Sequence, residues 1–345
     1  MKRLVGILTV LMLAVSVFAL DVSAGIRIDV NALDYDGTSF KALSVNNGTA
    51  QHENPLQFSV GTEKVGGMFK IWPAGTVDGD RTFGPVMGGW NLWFKPFDGV
   101  TVNLGNIGTN LFCEQIEWWR TETGSGDWWG TGIAFNKNGF FVEALVNTGI
   151  GGWAFSGSYE DDAKVKHDAV INPIYAKIGY GADFGTIGAF YNYRGKDNWK
   201  VGAGYANTFG NAYTFLNVVY DVADTNKISA ELWTAPSIDI VSLQTLVLFQ
   251  YVMDNADTAA VDESNPILKA DVKASLNLGA PVTPYIRITN WWGDFIADEF
   301  GYIDVQPGIV GNFNGMSYDV GLKFTVAGAD PKFKFAVPVV LKYNF

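Results

Sequence analysis

Few side chains of this 345-residue chain could perform catalysis, since it contains only two histidines and one cysteine. His167 follows three carboxylates, Glu160, Asp161 and Asp162, and a histidine beside carboxylates can act as a general base. All four groups fall in one polar stretch, and no motif places a second acidic cluster opposite them. A cysteine-built metal site needs several cysteines, and Cys113 is alone. We therefore predict a solvated loop here, with no catalytic set, no bound metal and no cofactor.

A tryptophan-rich stretch at residues 107–129 is the strongest candidate for binding a solute. Tryptophan faces flanked by carboxylates and an arginine resemble the surfaces along which sugar-selective channels move a sugar ring. The same composition is typical of an aromatic belt at a membrane interface or of a packed loop, so these interpretations stay open. Trp291 and Trp292, at a predicted strand end, are assigned to such a belt. The candidate solute-binding residues are Trp118, Trp119, Arg120, Trp128 and Trp129.

The start of the chain has the features of an export signal. An apolar stretch over residues 4–18 follows a basic start, and small residues precede a candidate cleavage position after Ala19. This order predicts a secretory signal peptide over residues 1–19, with cleavage after residue 24 as the alternative. Beyond it no run approaches the ~18 apolar residues of a transmembrane helix. We expect residues 20–345 to form one domain.

Apolar and polar residues alternate along the rest of the chain, of which only 17% is charged and 48% is hydrophobic. The segments 174–184 and 268–276 are examples. Alternation with a period of two indicates a strand with one apolar and one polar face. A soluble sandwich could bury such faces, but their persistence favours a barrel with lipid outside and water inside. The formal net charge of −11 argues against a nucleic-acid partner.

The last segment has the most regular alternation. Apolar residues occupy almost every second position from residue 333 onward, and Tyr343 and Phe345 close the series. This segment resembles the C-terminal strand of bacterial outer-membrane β-barrel proteins, which end on an aromatic residue after alternating apolar positions. The resemblance implies an all-β, transmembrane, antiparallel up-and-down barrel. It also implies that the barrel-assembly machinery reads Tyr343 and Phe345.

The spacing of turn signals predicts about 16–18 strands, enough for a barrel with an aqueous channel. If both chain ends face the periplasm, turns after even strands are short and connections after odd strands can be long. The sequence follows this rule, with short turns such as those near residues 96–99 and 138, although the fifth and sixth odd connections are short too. The long loops are predicted at residues 33–55, 73–86, 107–129, 148–173 and 253–265.

Charged residues are divided between the predicted loops and the predicted lumen. Acidic residues crowd loops near residues 160–162, 254–263 and 294–299, whereas the lumen faces carry both signs. Fields in a pore act over about a Debye length, roughly 8 Å, so the net charge does not predict cation selectivity. The predicted pore-lining residues are Arg27, Asp29, Lys95, Glu143, Lys177, Lys227, Glu231, Lys269, Asp271, Lys273, Arg287, Asp319 and Lys323.

These features together predict an outer-membrane porin of a diderm bacterium and not an enzyme. Small hydrophilic solutes would diffuse passively through a water-filled barrel, with lumen charges and any inward loop setting the preference for size and charge. The alternative is a sugar-selective channel or a surface adhesin that acts through residues 107–129. The resemblance further implies outer-membrane lipid as the surroundings and assembly into a homotrimer.

Overall fold

The computed structural model describes most of the predicted strands and parts of the loops. The described residues are 19–23, 25–45, 56–72, 75–77, 80–82, 86–108, 111–112, 114–116, 119–120, 127–147, 158–160, 166–168, 174–195, 198–222, 226–253, 266–294, 299–328 and 333–344. Residues 1–18 of the predicted signal peptide, Trp118 and Phe345 lie outside them. Within these ranges, no helix is long and apolar enough to cross a membrane.

The main sheet contains 22 strand segments, which form eighteen wall strands in the described part of the chain because four wall strands comprise two segments each. In chain order they are β1 (Ala19–Ser23 with Gly25–Tyr35), β2 (Phe40–Val45 with Leu56–Gly61), β3 (Val65–Trp72), β4 (Val86–Phe94), β5 (Val100–Gly108), β6 (Asp127–Lys137), β7 (Phe140–Asn147), β8 (Ile174–Ala182), β9 (Gly185–Gly195), β10 (Asn198–Phe209), β11 (Ala212–Val222), β12 (Asn226–Ala235 with Ser237–Ile238), β13 (Val241–Met253), β14 (Ile267–Leu276), β15 (Val282–Asp294), β16 (Glu299–Phe313), β17 (Met316–Gly321 with Lys323–Ala327) and β18 (Phe333–Asn344).

The wall strands close into a ring. Each is antiparallel to its neighbours in sequence, and β1 pairs with β18 from Gly25 opposite Asn344 to Tyr35 opposite Phe335. The other edge of β1 pairs with both segments of β2. A closed ring leaves no free strand edge, which allows a sheet to satisfy its backbone groups in lipid. The predicted antiparallel up-and-down barrel is confirmed, at the upper end of the predicted strand number.

The longest connections follow odd-numbered strands, as predicted, although those after β1, β9 and β11 are short. The turns after even-numbered strands are short, and two of them are Asn-Gly pairs with positive φ, Asn138-Gly139 (55° and 80°) and Asn314-Gly315 (50° and 81°). Such pairs fit two-residue hairpins because their backbone twist matches that of the strands. We name this end of the barrel the short-turn rim. The opposite end, with connections such as residues 109–126 and 148–173, is the long-loop rim.

The prediction of one long loop over residues 33–55 is wrong for its first part, because β1 and β2 continue into it and a tight turn joins them. The Asp36 carboxylate accepts hydrogen bonds from the backbone N–H groups of Thr38 (3.0 Å) and Ser39 (2.9 Å). The Thr38 hydroxyl and these N–H groups hold the pKa of Asp36 well below its ordinary value. The charged carboxylate therefore supports this turn until the pH falls through that lowered pKa.

The outer face of the wall has the pattern expected of a surface in contact with lipid. Outward positions are apolar and exposed, as at Ile178, Ile187, Val201, Val218 and Leu232, while the inward positions between them are buried or polar. Aromatic residues on this face collect near the long-loop rim, where successive pairs of rings are in contact at Tyr191, Tyr193, Trp199 and Tyr220. Others lie near the short-turn rim, among them Phe94, Phe135, Tyr180 and Tyr343. An apolar band between two aromatic girdles is typical of outer-membrane barrels.

Candidate functional site: the inner wall of the barrel

A patch without side chains lies on the inner face of β8, β9 and β10. Gly179, Gly188 and Gly204 stand opposite one another on these three neighbouring strands. Because glycine has no Cβ, the wall is locally flat, and another part of the chain can approach its backbone closely.

Described residues of the segment between β5 and β6 occupy this space. We name the segment, residues 109–126, the inner loop; the structure describes its residues 111–112, 114–116 and 119–120. A Cβ added at Gly188 would lie 2.6 Å from Leu111 Cδ1, and one at Gly204 would lie 2.8 Å from Phe112 Cδ2, so both loop side chains rest directly on the glycine patch. The amide of Asn217 on β11 donates a hydrogen bond to the Phe112 carbonyl at 3.1 Å. The described part of the inner loop is thus attached to the wall by apolar contacts and by the hydrogen bond from Asn217.

The inner loop crosses the barrel interior to make these contacts. It leaves the wall at β5, yet Phe112 reaches β11, six strands away around the ring, and Gln115–Ile116 lies beside β13. Leu111 packs against a buried cluster that includes Tyr175 and Phe190, and Phe112 packs against another that includes Phe215. Burying a leucine or phenylalanine side chain contributes on the order of 1.5–3 kcal/mol, so the two residues hold the loop firmly.

The structure divides the predicted solute-binding residues between the inner loop and the wall. Trp119 and Arg120 pair with Ile116 and Gln115 in a two-stranded piece of the inner loop. The prediction that Trp128 and Trp129 also belong to the loop is wrong, since β6 begins at Asp127. They stand at consecutive positions of one strand, opposite Ile107 and Asn106, and therefore belong to opposite faces of the sheet. A single binding loop containing all these tryptophans does not form.

Two ion pairs lie on the inner face of β7, β8, β10 and β11, and the first joins the predicted lumen residues Glu143 and Lys177. Lys177 Nζ lies 2.6 Å from Glu143 Oε2, and the two residues are direct partners across β7 and β8. Lys200 Nζ lies 2.6 Å from Asp221 Oδ2, also between direct partners. Opposite charges at paired positions of one face attract, so each pair stabilises its register while it neutralises its own charge.

A denser polar network covers the inner face of β14 to β17. Asp271 is fully buried and accepts two hydrogen bonds from Arg287 Nε, at 2.9 and 3.1 Å, and one from Arg287 Nη2 at 2.5 Å. Lys273 Nζ lies 3.8 Å from Asp319 Oδ2, and the Tyr285 hydroxyl donates to Asp319 Oδ1 at 2.7 Å. Carboxylates in a buried wall are stable only with such partners.

Asp304 on β16 extends this network and is a lumen residue that the sequence prediction missed. Its carboxylate lies 2.8 Å from Lys323 Nζ and accepts a hydrogen bond from the Thr325 hydroxyl at 2.5 Å. The alternation signal was present, since Tyr302, Asp304 and Gln306 occupy every second position between apolar neighbours. The inner-loop residues Leu111 and Phe112 carried no comparable signal, because nothing in a loop sequence indicates that it folds inward.

The remaining predicted pore-lining residues occupy varied positions. Lys227 stands opposite Asp221, and Glu231 is buried opposite Asn217 and Leu248. Arg27 and Asp29 pair with Lys342 and Val340 at the closure of the ring. Lys95 follows the end of β4 at the short-turn rim, where its ammonium lies 5.3 Å from the centre of the Trp93 ring.

The candidate catalytic group lies outside the wall. His167 stands opposite Tyr159 in a small hairpin, Ser158–Glu160 with Lys166–Asp168, which forms a separate sheet. Asp161 and Asp162 fall outside the described residues. Among the residues the structure does describe, no three His, Cys, Asp or Glu side chains lie close enough together to hold a metal ion.

The fold defines the chain as an outer-membrane-type β-barrel with an inward loop, and comparison with solved structures finds barrels of the same fold. It is similar to the crystal structure of Pseudomonas aeruginosa OpdQ, with a TM-score of 0.58 and 8% identity over 95% of this chain and 99% of that one. It is also similar to P. aeruginosa OprD (TM-score 0.53, 11% identity, 95% of each chain). A third similar structure is the P. aeruginosa outer membrane protein OpdK (0.55, 12%, 94% and 98%).

These similar structures are outer-membrane porins of the OprD and Occ kind. No protein-family model and no curated protein matches this sequence. At 8–12% identity the likeness concerns the fold. The resemblance to an outer-membrane barrel, predicted from the C-terminal strand, is confirmed at that level.

Proposed function

We propose that the chain is a porin through which small hydrophilic solutes diffuse passively, and that it has no enzymatic role. The observation that carries this proposal is a closed eighteen-strand ring whose inner face is charged and is crossed by one attached loop. A barrel of this width leaves space for water between the inner loop and the polar wall of β14 to β17. Solutes would enter at the long-loop rim and pass between these two surfaces.

The proposed location is the outer membrane of a diderm bacterium, reached after removal of residues 1–19. The apolar outer band and the aromatic girdles support insertion into lipid. The exposed Tyr343 near the end of β18 is available to the barrel-assembly machinery before the ring closes. The homotrimer implied by the resemblance stays a prediction.

The proposal is tested by recording from purified protein in planar bilayers. We expect stepwise increases of conductance as single channels insert, together with slower gel migration after heating in detergent, which marks an unfolded barrel. A protein that shows the heat-dependent migration but gives no conductance steps would contradict the porin function and leave the fold intact.

Weak charge selectivity is a separate expected result. Five cationic side chains of the inner wall each lie within 4 Å of a carboxylate, namely those of Lys177, Lys200, Lys273, Arg287 and Lys323. Paired charges produce small fields beyond their own neighbourhood. The reversal potential in a KCl gradient should therefore give a cation-to-anion permeability ratio within about threefold of one. Strong cation selectivity, as the net charge of −11 alone would suggest, contradicts this account.

Replacing Asp221 with Asn leaves Lys200 without its ion-pair partner and should shift that ratio toward anions. The Asp98→Asn change, in an exposed turn beside Lys137, serves as the matched control and should not shift it. Equal shifts of the permeability ratio in the two variants would show that the inner ion pairs do not control the charge selectivity of the pore.

A further inference from the structure

Trp291 on β15 faces the channel and not the lipid. It stands opposite Lys269 on β14 and Tyr302 on β16. Two positions further along these strands, on the same face, Asp271 and Asp304 belong to the inner network. The prediction that Trp291 and Trp292 both form an interface belt is therefore wrong for Trp291. Consecutive strand residues face opposite sides, so only Trp292, opposite Leu268, is on the outer face.

The Trp291 ring is open to the lumen, unlike the aromatic residues that pack against the inner loop. It is 37% exposed, whereas Trp233 is 2% exposed and Phe215 is fully buried beneath the inner loop. Those residues serve packing, since they fill space between the loop and the wall. Trp291 leaves a large apolar surface in contact with water, which costs free energy in the absence of a ligand.

Neighbouring side chains fix the Trp291 ring in place. The Lys269 ammonium lies 4.4 Å from the ring centre, a cation–π contact, and the Tyr302 ring meets it edge-on with centres 5.8 Å apart. The strand pairing also shifts here, because Trp291 pairs with Tyr302 and Trp292 with Phe300, so that Gly301 has no partner. β-Bulges of this kind redirect a side chain and occur often beside functional sites.

The carboxylates near Trp291 are already ion-paired, and the Lys269 ammonium lies over its ring, so the surroundings disfavour a cation as the ligand. Asp271 is bound by Arg287, and Asp304 is bound by Lys323 and Thr325, so these charges are already compensated by neighbours. Asp271 itself is fully buried, but the partly exposed side chains of Arg287, Asp304 and Lys323 can still form further hydrogen bonds. An apolar ring surface beside many hydrogen-bonding groups matches a saccharide, which has an apolar C–H face and hydroxyls at its edges.

We propose that Trp291, held by Lys269 and Tyr302, forms a binding site for the ring of a neutral saccharide near the long-loop rim of the channel. The proposal rests on the porin function and specifies its solute class. The ring would stack on the open surface of Trp291 while its hydroxyls bond to the polar side chains of β14 and β16. This site is distinct from the tryptophan-rich stretch 107–129.

The test is the block of single-channel current by a linear glucose oligosaccharide added on the long-loop side. We expect a saturable decrease of current in the parent protein, and a half-blocking concentration raised about fivefold or more in Trp291→Ala. Trp291→Phe, which keeps a flat ring, should retain most of the block. A polyethylene glycol of equal hydrodynamic size should give no saturable block in any variant.

Trp292→Ala is the matched control, because it removes the same side chain from the adjacent, outward position. All variants are first checked for heat-dependent gel migration and for unchanged conductance in salt alone. The proposal is overturned if the oligosaccharide acts no differently from polyethylene glycol in the parent, or if Trp292→Ala weakens the block as much as Trp291→Ala. An absence of conductance steps in the parent would instead contradict the porin function itself.

Discussion

Replacing residues 110–125 of the inner loop with a short Asn-Gly turn is expected to raise the single-channel conductance about twofold or more. Gly108 and Asp127 are already paired across β5 and β6, so a tight turn can join these strands without strain. The variant removes Leu111 and Phe112 from the glycine patch and clears the lumen beside β9 to β11. Planar-bilayer recording measures the conductance, and uptake of sized polyethylene glycols into vesicles measures the limiting solute size.

A single substitution should loosen the inner loop without removing it. Phe112→Ser removes the ring that packs near Phe215 and Trp233 while it keeps the loop backbone. We expect larger current fluctuations in this variant, since the loop loses much of its apolar attachment. Phe97→Ser makes the same chemical change at an exposed turn and should leave the current trace as it is in the parent. Unchanged conductance after removal of the whole inner loop would show that it does not limit the channel.

Breaking the buried pair between Asp271 and Arg287 is expected to lower the free energy of unfolding more than breaking any other ion pair described above. Asp271 is fully buried, and Asp271→Ala leaves the guanidinium of Arg287 without its bidentate partner. Removal of one member of a buried ion pair costs about 3–5 kcal/mol, because an uncompensated charge stays in the wall. Reversible urea unfolding in lipid vesicles, followed by tryptophan fluorescence, gives the free energy of unfolding.

The double variant Asp271→Leu with Arg287→Met separates charge from packing. Apolar residues of similar volume can replace a buried ion pair at little cost, so we expect most of the lost stability to return. Asp98→Asn, which breaks an exposed pair with Lys137, is the control and should leave the unfolding midpoint unchanged. If the single Asp271→Ala variant unfolds at the parent's urea concentration, the pair is not buried in the folded barrel.

The turns and the wall of the barrel could be predicted because their signals are local. Asn138-Gly139 marks a two-residue hairpin in the sequence and forms one in the structure. The first connection was predicted less well, since the apolar alternation weakens after Ala32 and Asp36 resembles a residue of an open loop. Its hydrogen bonds to the next backbone N–H groups instead make a tight turn between β1 and β2.

The candidate site could be predicted only in part. Alternation placed Lys177, Asp271 and Arg287 on one side of their strands, and the structure finds these residues in ion pairs on the inner wall. Counted from Arg287, the same rule also puts Trp291 on the inner face and Trp292 on the outer face, and β15 keeps its register with β14 through both residues. The belt assignment was wrong for Trp291 because it rested on the position of the pair at a strand end and not on this alternation.

The amino-acid sequence by itself determined the barrel, the order of its short and long connections and the division of residues between two faces. Because a strand has a period of two, the alternation of apolar and polar residues along the chain is enough to separate a lipid face from a polar one. Only the tertiary structure decided which inner residues meet. Leu111 rests on Gly188, and Phe112 on Gly204, because closure of the ring brings β5 within reach of β9 to β11 across the interior. No local pattern encodes contacts between residues so far apart in the chain.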